Sequence, residues 1–158
     1  MRRLAFQIRR AEAQDGIEIV SCLQSAFAEY RDRYTPAAFA DTVLDGEGVS
    51  RRLEQMSLFV AVSDGQIVGT IGCRVNGERG HLRGMAVSPD RQGEGVASAL
   101  LRTVEAELLD RGCKYVTLNT TEPLTRAVRF YTRHGYCATG RVSDFFGMRL
   151  YEYSKSLL

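Results

Sequence analysis

The run Val87-Ser88-Pro89-Asp90-Arg91-Gln92-Gly93-Glu94-Gly95-Val96-Ala97 carries the strongest chemical signal in the chain. An apolar stretch enters a turn with glycines at 93 and 95, and a strongly periodic helix leaves it. Glycines let a ligand come close to the backbone, and the first N–H groups of a helix have no internal partners. With the positive end of the helix dipole, this makes an anion pocket suited to a pyrophosphate. A lone Gly-x-Gly is equally what an ordinary tight turn uses. Two other nucleotide readings of the loop fail. No Gly-Lys-Ser/Thr follows it, which excludes a P-loop. A dinucleotide fingerprint needs glycine where Ser98 stands and an acidic residue about 20 positions on, where Lys114 and Tyr115 stand.

The elements that must position this loop follow from periodicity. Phe6–Ala11 alternates and predicts a strand. Asp15 is placed to cap a helix from about Gly16 to Arg31, with Ile17, Val20, Leu23, Phe27 and Tyr30 near helical period. Thr35-Pro36 opens a second helix to about Leu44, which Asp45-Gly46-Glu47-Gly48 breaks, and a short helix follows around Val49–Gln55. Ser57–Val62, Gln66–Val75 and Gly80–Val87 are joined by Asp64-Gly65 and Asn76-Gly77, so they form an antiparallel meander. Val96, Leu100, Val104 and Leu108 at i+4 spacing mark the helix after the loop, ended by Arg111-Gly112. Tyr115–Asn119 is a strand and Leu124–His134 a helix stopped by Gly135. Tyr136–Arg141 and Met148–Tyr153 are two more strands. The order β-α-α-β-β-β-α-β-α-β-β describes an α/β (α+β) domain around one mixed, mostly antiparallel sheet, spanning residues 1–158 as a single unit.

Composition narrows the function classes. At 158 residues the chain buries about two thirds of its unfolded surface, so its core needs no disulfide or metal. Its 21 basic and 19 acidic residues nearly cancel, which gives no electrostatic case for nucleic acid. From residue 80 onward 11 basic residues meet 8 acidic ones, a mildly basic half that fits a phosphate-bearing ligand. Met1–Arg9 has a positive end but no apolar run of signal-peptide length, and no stretch is long enough to span a membrane. Cys22, Cys73, Cys113 and Cys137 are scattered among apolar neighbours and read as buried free thiols; Cys73 is core rather than nucleophile. His81 and His134 lack metal-ligand spacing. The expectation is a cytoplasmic protein without a metal.

Three motifs in order resemble the GCN5-related N-acetyltransferase (GNAT) superfamily. Gln92-Gly93-Glu94-Gly95-Val96-Ala97 is similar to that family's Q/R-x-x-G-x-G/A loop, which cradles the pyrophosphate of acetyl-coenzyme A. Leu82–Pro89 resembles the strand leading into it. Ala127-Val128-Arg129-Phe130-Tyr131-Thr132-Arg133-His134-Gly135-Tyr136 resembles the A-x-x-F-Y-x-x-x-G-F/Y motif. The resemblance covers residues 57–141 well and the first 50 in outline. Glu94 departs from it, standing where a basic residue is common.

The resemblance implies a sheet splayed between the fourth and fifth strands, with helices on both faces. It implies acetyl-coenzyme A as co-substrate, its pantetheine arm bonded to the backbone of Met85, Ala86 and Val87 as an added strand. It implies direct attack of a primary amine on the thioester. Tyr131 faces inward, at i+3 and i+4 from Val128 and Ala127, and the resemblance makes it the general acid. A core tyrosine is the reading it displaces. Asn119 would bond the cofactor or acceptor. His81 matches the position of a catalytic glutamate in the histone-acetylating branch and is the candidate base, titrating near 6.5, with Glu78 or Glu122 acting through water as alternatives. Strand alternation puts His81 on the face of Met85 and Val87. Phe27, Tyr30, Arg31, Arg33, Tyr34 and Thr35 would line the acceptor pocket, with Tyr30, Arg33 and Tyr34 as its binding residues, and Val142–Met148 would close its other side. The amine stays unidentified: small molecule, amino acid, peptide or protein. A homodimer is compatible with such a domain. A non-catalytic acyl-coenzyme A-binding regulatory domain on the same fold is the alternative.

Overall fold

The computed structural model describes residues 6–158, so the reading of Met1–Ala5 lies outside the described residues. Seven strands form one sheet in the order β1-β2-β3-β4-β5-β7-β6. They are β1 (Gln7–Arg10), β2 (Ser57–Ser63), β3 (Gln66–Asn76), β4 (Arg79–Val87), β5 (Tyr115–Thr121), β6 (Cys137–Phe145) and β7 (Met148–Ser156). Every pairing is antiparallel except β4 with β5. Five helices are α1 (Gly16–Phe27), α2 (Pro36–Thr42), α3 (Gly46–Gln55), α4 (Val96–Asp110) and α5 (Thr125–Arg133). This is the mixed, mostly antiparallel sheet that the order of elements predicts.

The core divides along the two faces of the sheet. On one face α4 sets Val96, Leu100, Leu101, Val104 and Leu108 against Phe59, Ile71, Val116 and Leu118, with Tyr131 of α5 alongside. Each of those five helix side chains is at most 1% exposed, worth about 1.5–3 kcal/mol of burial apiece. On the other face α1 contributes Ile19, Leu23 and Phe27, and α3 contributes Val49, packed on Val60, Ile67 and Ala86. Because β3 is covered on both sides, seven consecutive residues from Ile67 to Cys73 are buried. Among the described residues no helix is long and apolar enough to cross a membrane.

Several local expectations change. The first helix tightens into a 3-10 segment over Ala28–Arg33 instead of running on to Arg31. Asp15 precedes α1, but its carboxylate turns back to Arg9 at 2.7 and 2.9 Å and to the N–H of Glu12 at 2.7 Å. Asp45-Gly46-Glu47-Gly48 opens a helix rather than breaking one, since the Asp45 carboxylate accepts from the N–H of Gly48 at 2.8 Å. The last two strands are longer than predicted, and Val142–Met148 is the tip of their hairpin. Cys22, Cys73 and Cys113 are buried as expected, while Cys137 is exposed on the outer strand β6.

Candidate active site

The parallel pairing of β4 with β5 covers only Arg79–Tyr115, Gly80–Val116 and His81–Thr117. Beyond that point the strands part. From Leu82 to Val87 and from Leu118 to Thr121 their facing edges have no partner across the gap, although β4 stays paired to β3 and β5 to β7. Two diverging edges of free backbone N–H and C=O groups are a template for an extended ligand. A cavity of about 820 Å³ occupies the fork.

Two features shape the β4 edge. Gly72 of β3 pairs with Arg83 and Thr70 with Ala86, so Gly84 and Met85 together oppose Ile71. That is a bulge, and Gly84 supplies the positive φ of +70° it needs. Side chains therefore stop alternating. Leu82 and Met85 pack with the α4-side core and Ala86 with the α1-side core. Gly84 faces α3, since a Cβ there would stand 2.6 Å from Nη1 of Arg52. Strict alternation had set His81 beside Met85 and Val87; the bulge puts them on opposite faces.

The loop after β4 enters α4 through Gly93 (φ +80°) and Gly95 (φ +86°), a left-handed pair that turns the chain into the first helical turn. Gln92, Gly93, Gly95, Val96 and Ala97 line the cavity. Glu94 is turned aside: Arg91 Nε donates to its carboxylate at 2.7 Å and Arg91 Nη2 donates to Ser63 Oγ at 2.6 Å. The departure at position 94 thus leaves no bare negative charge beside the loop. Arg126 of α5 bridges the cavity mouth, donating to Gln92 at 3.1 Å, to the Tyr30 hydroxyl at 3.1 Å and to Glu29.

Tyr131 sits inside the fork, 8% exposed. Its hydroxyl donates to the thioether sulfur of Met85 at 3.2 Å, and burial holds its pKa above the usual phenol value. Thr120 Oγ1, on the cavity wall, is buried without a hydrogen-bond partner among the described residues. An orphaned hydroxyl, two unpaired strand edges and a left-handed glycine loop all fit an extended thioester ligand carrying phosphates at one end.

His81 stands where the fork begins, its Nδ1 2.8 Å from Thr117 Oγ1. Burial, reinforced by Arg74, Arg79 and Arg83, pushes it down to about 4. That lies below the expected titration near 6.5 and favours the neutral imidazole near neutral pH. Asn119 and His81 also border a second cavity of about 190 Å³ with Arg74, Arg79, Arg141 and Glu152. Glu78 is ion-paired with Lys114 on the surface, and neither it nor Glu122 lines either cavity.

The cavity wall also includes Phe27, Tyr30 and Tyr34, the last held by a 2.5 Å hydrogen bond to Thr121. The Thr35 hydroxyl donates to the carbonyl of Phe146 at 2.8 Å, which ties the tip of the last hairpin to the start of α2. Arg33 is exposed and off the wall, and Arg31 stacks over Phe39. Among the basic residues that line the cavity are Arg52 and Arg83, which the sequence reading missed. Helical spacing from Val49 would have found Arg52, three residues on and beside Leu53.

Comparison with known proteins agrees with this geometry. The profile of the Acetyltransferase (GNAT) family matches residues 18–136, and the chain belongs to that family. Similar solved structures include the ribosomal-protein-S18-alanine N-acetyltransferase of Escherichia coli, with 18% identity, TM-score 0.79, and 97% of this chain and 94% of that chain covered. The PaiA N-acetyltransferase of Thermoplasma acidophilum, solved in complex with coenzyme A, has 15% identity, TM-score 0.80 and coverage of 97% and 99%. A GCN5-related N-acetyltransferase from Rhodopseudomonas palustris has 20% identity, TM-score 0.80 and coverage of 99% and 98%. At these identities the likeness is one of fold.

Proposed function

We propose that the protein transfers the acetyl group of acetyl-coenzyme A to a primary amine by direct attack within the β4–β5 fork. The observation that carries this reading is the fork itself, where pairing ends at His81–Thr117 and a buried tyrosine hydroxyl stands in the gap. Acetyl-coenzyme A, when bound, supplies an activated thioester. The backbone of Met85, Ala86 and Val87 offers hydrogen bonds to its pantetheine amides, and the N–H groups of residues 93–97 meet the pyrophosphate. Thr120 and Asn119 present side-chain groups from β5.

Tyr131 is assigned the leaving thiolate. Its hydroxyl gives up a weak sulfur acceptor for a much stronger anionic one, and its raised pKa keeps it protonated until that moment. His81 is suited to accept a hydrogen bond from the incoming amine and orient it. As the C–N bond forms and the C–S bond breaks, the proton shed by the nitrogen passes to water and returns through it to the Tyr131 phenolate left by protonating the sulfur. The amine's ionisation then sets the pH dependence. Release of free thiol from acetyl-coenzyme A across a panel of amines tests the reading. Amine-dependent release supports it; tight binding without release would favour a regulatory acyl-coenzyme A-binding domain.

A further inference from the structure

Arg52 is 9% exposed, projects from α3 against the Gly84 bulge, and lines the cavity. Among the described residues its guanidinium has no ion pair and no hydrogen-bond acceptor. The carboxylate whose charge it feels, Asp41, is bonded to Arg83. Arg52, Arg83 and Asp41 therefore leave one uncompensated positive charge on this wall. Burial and the charge of Arg83 bring Arg52 down to about 10, the mark of a cation in want of an anion.

We propose that Arg52 binds a carboxylate on the acceptor, so that the amine substrate is a small amino acid whose acid group lies a few bonds from the reacting nitrogen. The proposal rests on the acetyltransferase reading and names its substrate class. One unpaired guanidinium offers a planar fork that matches a single carboxylate bidentately. Its place against Gly84 puts it beside Met85, the next residue, whose backbone would hold the thioester end. A carboxylate held there leaves an α- or β-amine within reach of the carbonyl carbon. An amine with a distant or absent acid group would leave the buried cation unpaired.

The test compares glycine, alanine and glutamate with their carboxamides as acceptors, in thiol release by the full chain. An amino acid should exceed its amide in kcat/KM by about 10- to 100-fold, the usual worth of a hydrogen bond to a charged group. Arg52→Met should raise KM for the acid, erase the preference, and leave acetyl-coenzyme A affinity within about twofold, while Arg52→Lys keeps part of the preference. If Arg52→Met fails to fold, the wild-type panel and Arg52→Lys still decide. Calorimetric binding of N-acetylglycine against N-acetylglycinamide is independent of turnover and should favour the acid. Amides as good as acids, a preference that survives Arg52→Met, or equal binding of the two products would overturn the proposal. Loss of the acetyltransferase reading shows separately, as no amine-dependent thiol release with any acceptor, acid or amide.

Discussion

The Tyr131 hydroxyl of α5 and the Met85 thioether sulfur of β4 meet at 3.2 Å beside the β4–β5 fork. The phenol is buried by packing against Phe130 and Tyr136, with ring centroids 5.4 and 5.6 Å away. Among the described residues the hydroxyl's partner is a soft, weak acceptor, so exchange for a thiolate costs little and gains a charge-assisted bond. Tyr131→Phe keeps the packing and removes the proton. Turnover should fall about tenfold to a thousandfold, with acetyl-coenzyme A affinity little changed. An unaltered rate with the best amine would mean another group or water protonates the thiolate.

Gly95 holds φ +86° at the entry to α4. Gly95→Glu adds left-handed strain of about 1–2 kcal/mol and sets a carboxylate beside the pyrophosphate site. Calorimetry on the folded variant should find acetyl-coenzyme A binding largely lost. Near-normal affinity would show the loop is not the phosphate cradle. Arg91→Ala should do less, because Arg91 is committed to Glu94 and Ser63.

His81 has its folded pKa at about 4 against an ordinary value of 6.5. Below 6.5 the unfolded chain takes up a proton that the folded chain refuses. The His81 contribution to stability is therefore complete above 6.5 and is lost progressively as pH falls towards 4. Urea midpoints measured from pH 7 down to pH 4 should decline more steeply for the wild type than for His81→Gln. An ascending limb in the rate near 6.5 that His81→Gln abolishes would contradict this assignment and restore the imidazole as a titrating base.

The bulge at Gly84 yields a fourth expectation. Alanine there would hold an unfavourable φ of +70° and crowd Nη1 of Arg52 at 2.6 Å. Gly84→Ala should cost about 1–2 kcal/mol of backbone strain in thermal or urea unfolding. It should also weaken amine use more than acetyl-coenzyme A binding, since the displaced group lies on the acceptor wall. Equal losses in both would place the bulge with the cofactor alone.

The same bulge marks where sequence reasoning reached its limit. Val96, Leu100, Val104 and Leu108 announce α4 because one side of a helix must be apolar to pack on a sheet. Asp64-Gly65 and Asn76-Gly77 announce the meander because those turns need residues that accept positive φ. Gly84 gives no comparable signal: an isolated glycine within a strand pattern is consistent with unbroken alternation, so His81 was assigned to the wrong face. The 3-10 segment over Ala28–Arg33 likewise has the composition of a helix end, and it swings Arg33 outward while Tyr30 and Tyr34 stay on the wall. Arg52 was overlooked because a charged residue on a short helix reads as solvated, and only the tertiary packing of α3 on β4 buries it. The loop and Tyr131 were legible since their motifs are local. The acceptor wall was not, being assembled from four separate stretches of chain.

In the proposed function the β4–β5 fork binds acetyl-coenzyme A and delivers its acetyl group to an amine. Thiol release from acetyl-coenzyme A, followed with and without an amine panel and confirmed by mass spectrometry of the acetylated product, tests it most directly. Release should depend on the amine, yield one acetylated product per thiol, and fall in Tyr131→Phe. Binding of acetyl-coenzyme A with no amine-dependent release, or release unaffected by Tyr131→Phe and Gly95→Glu alike, would contradict it.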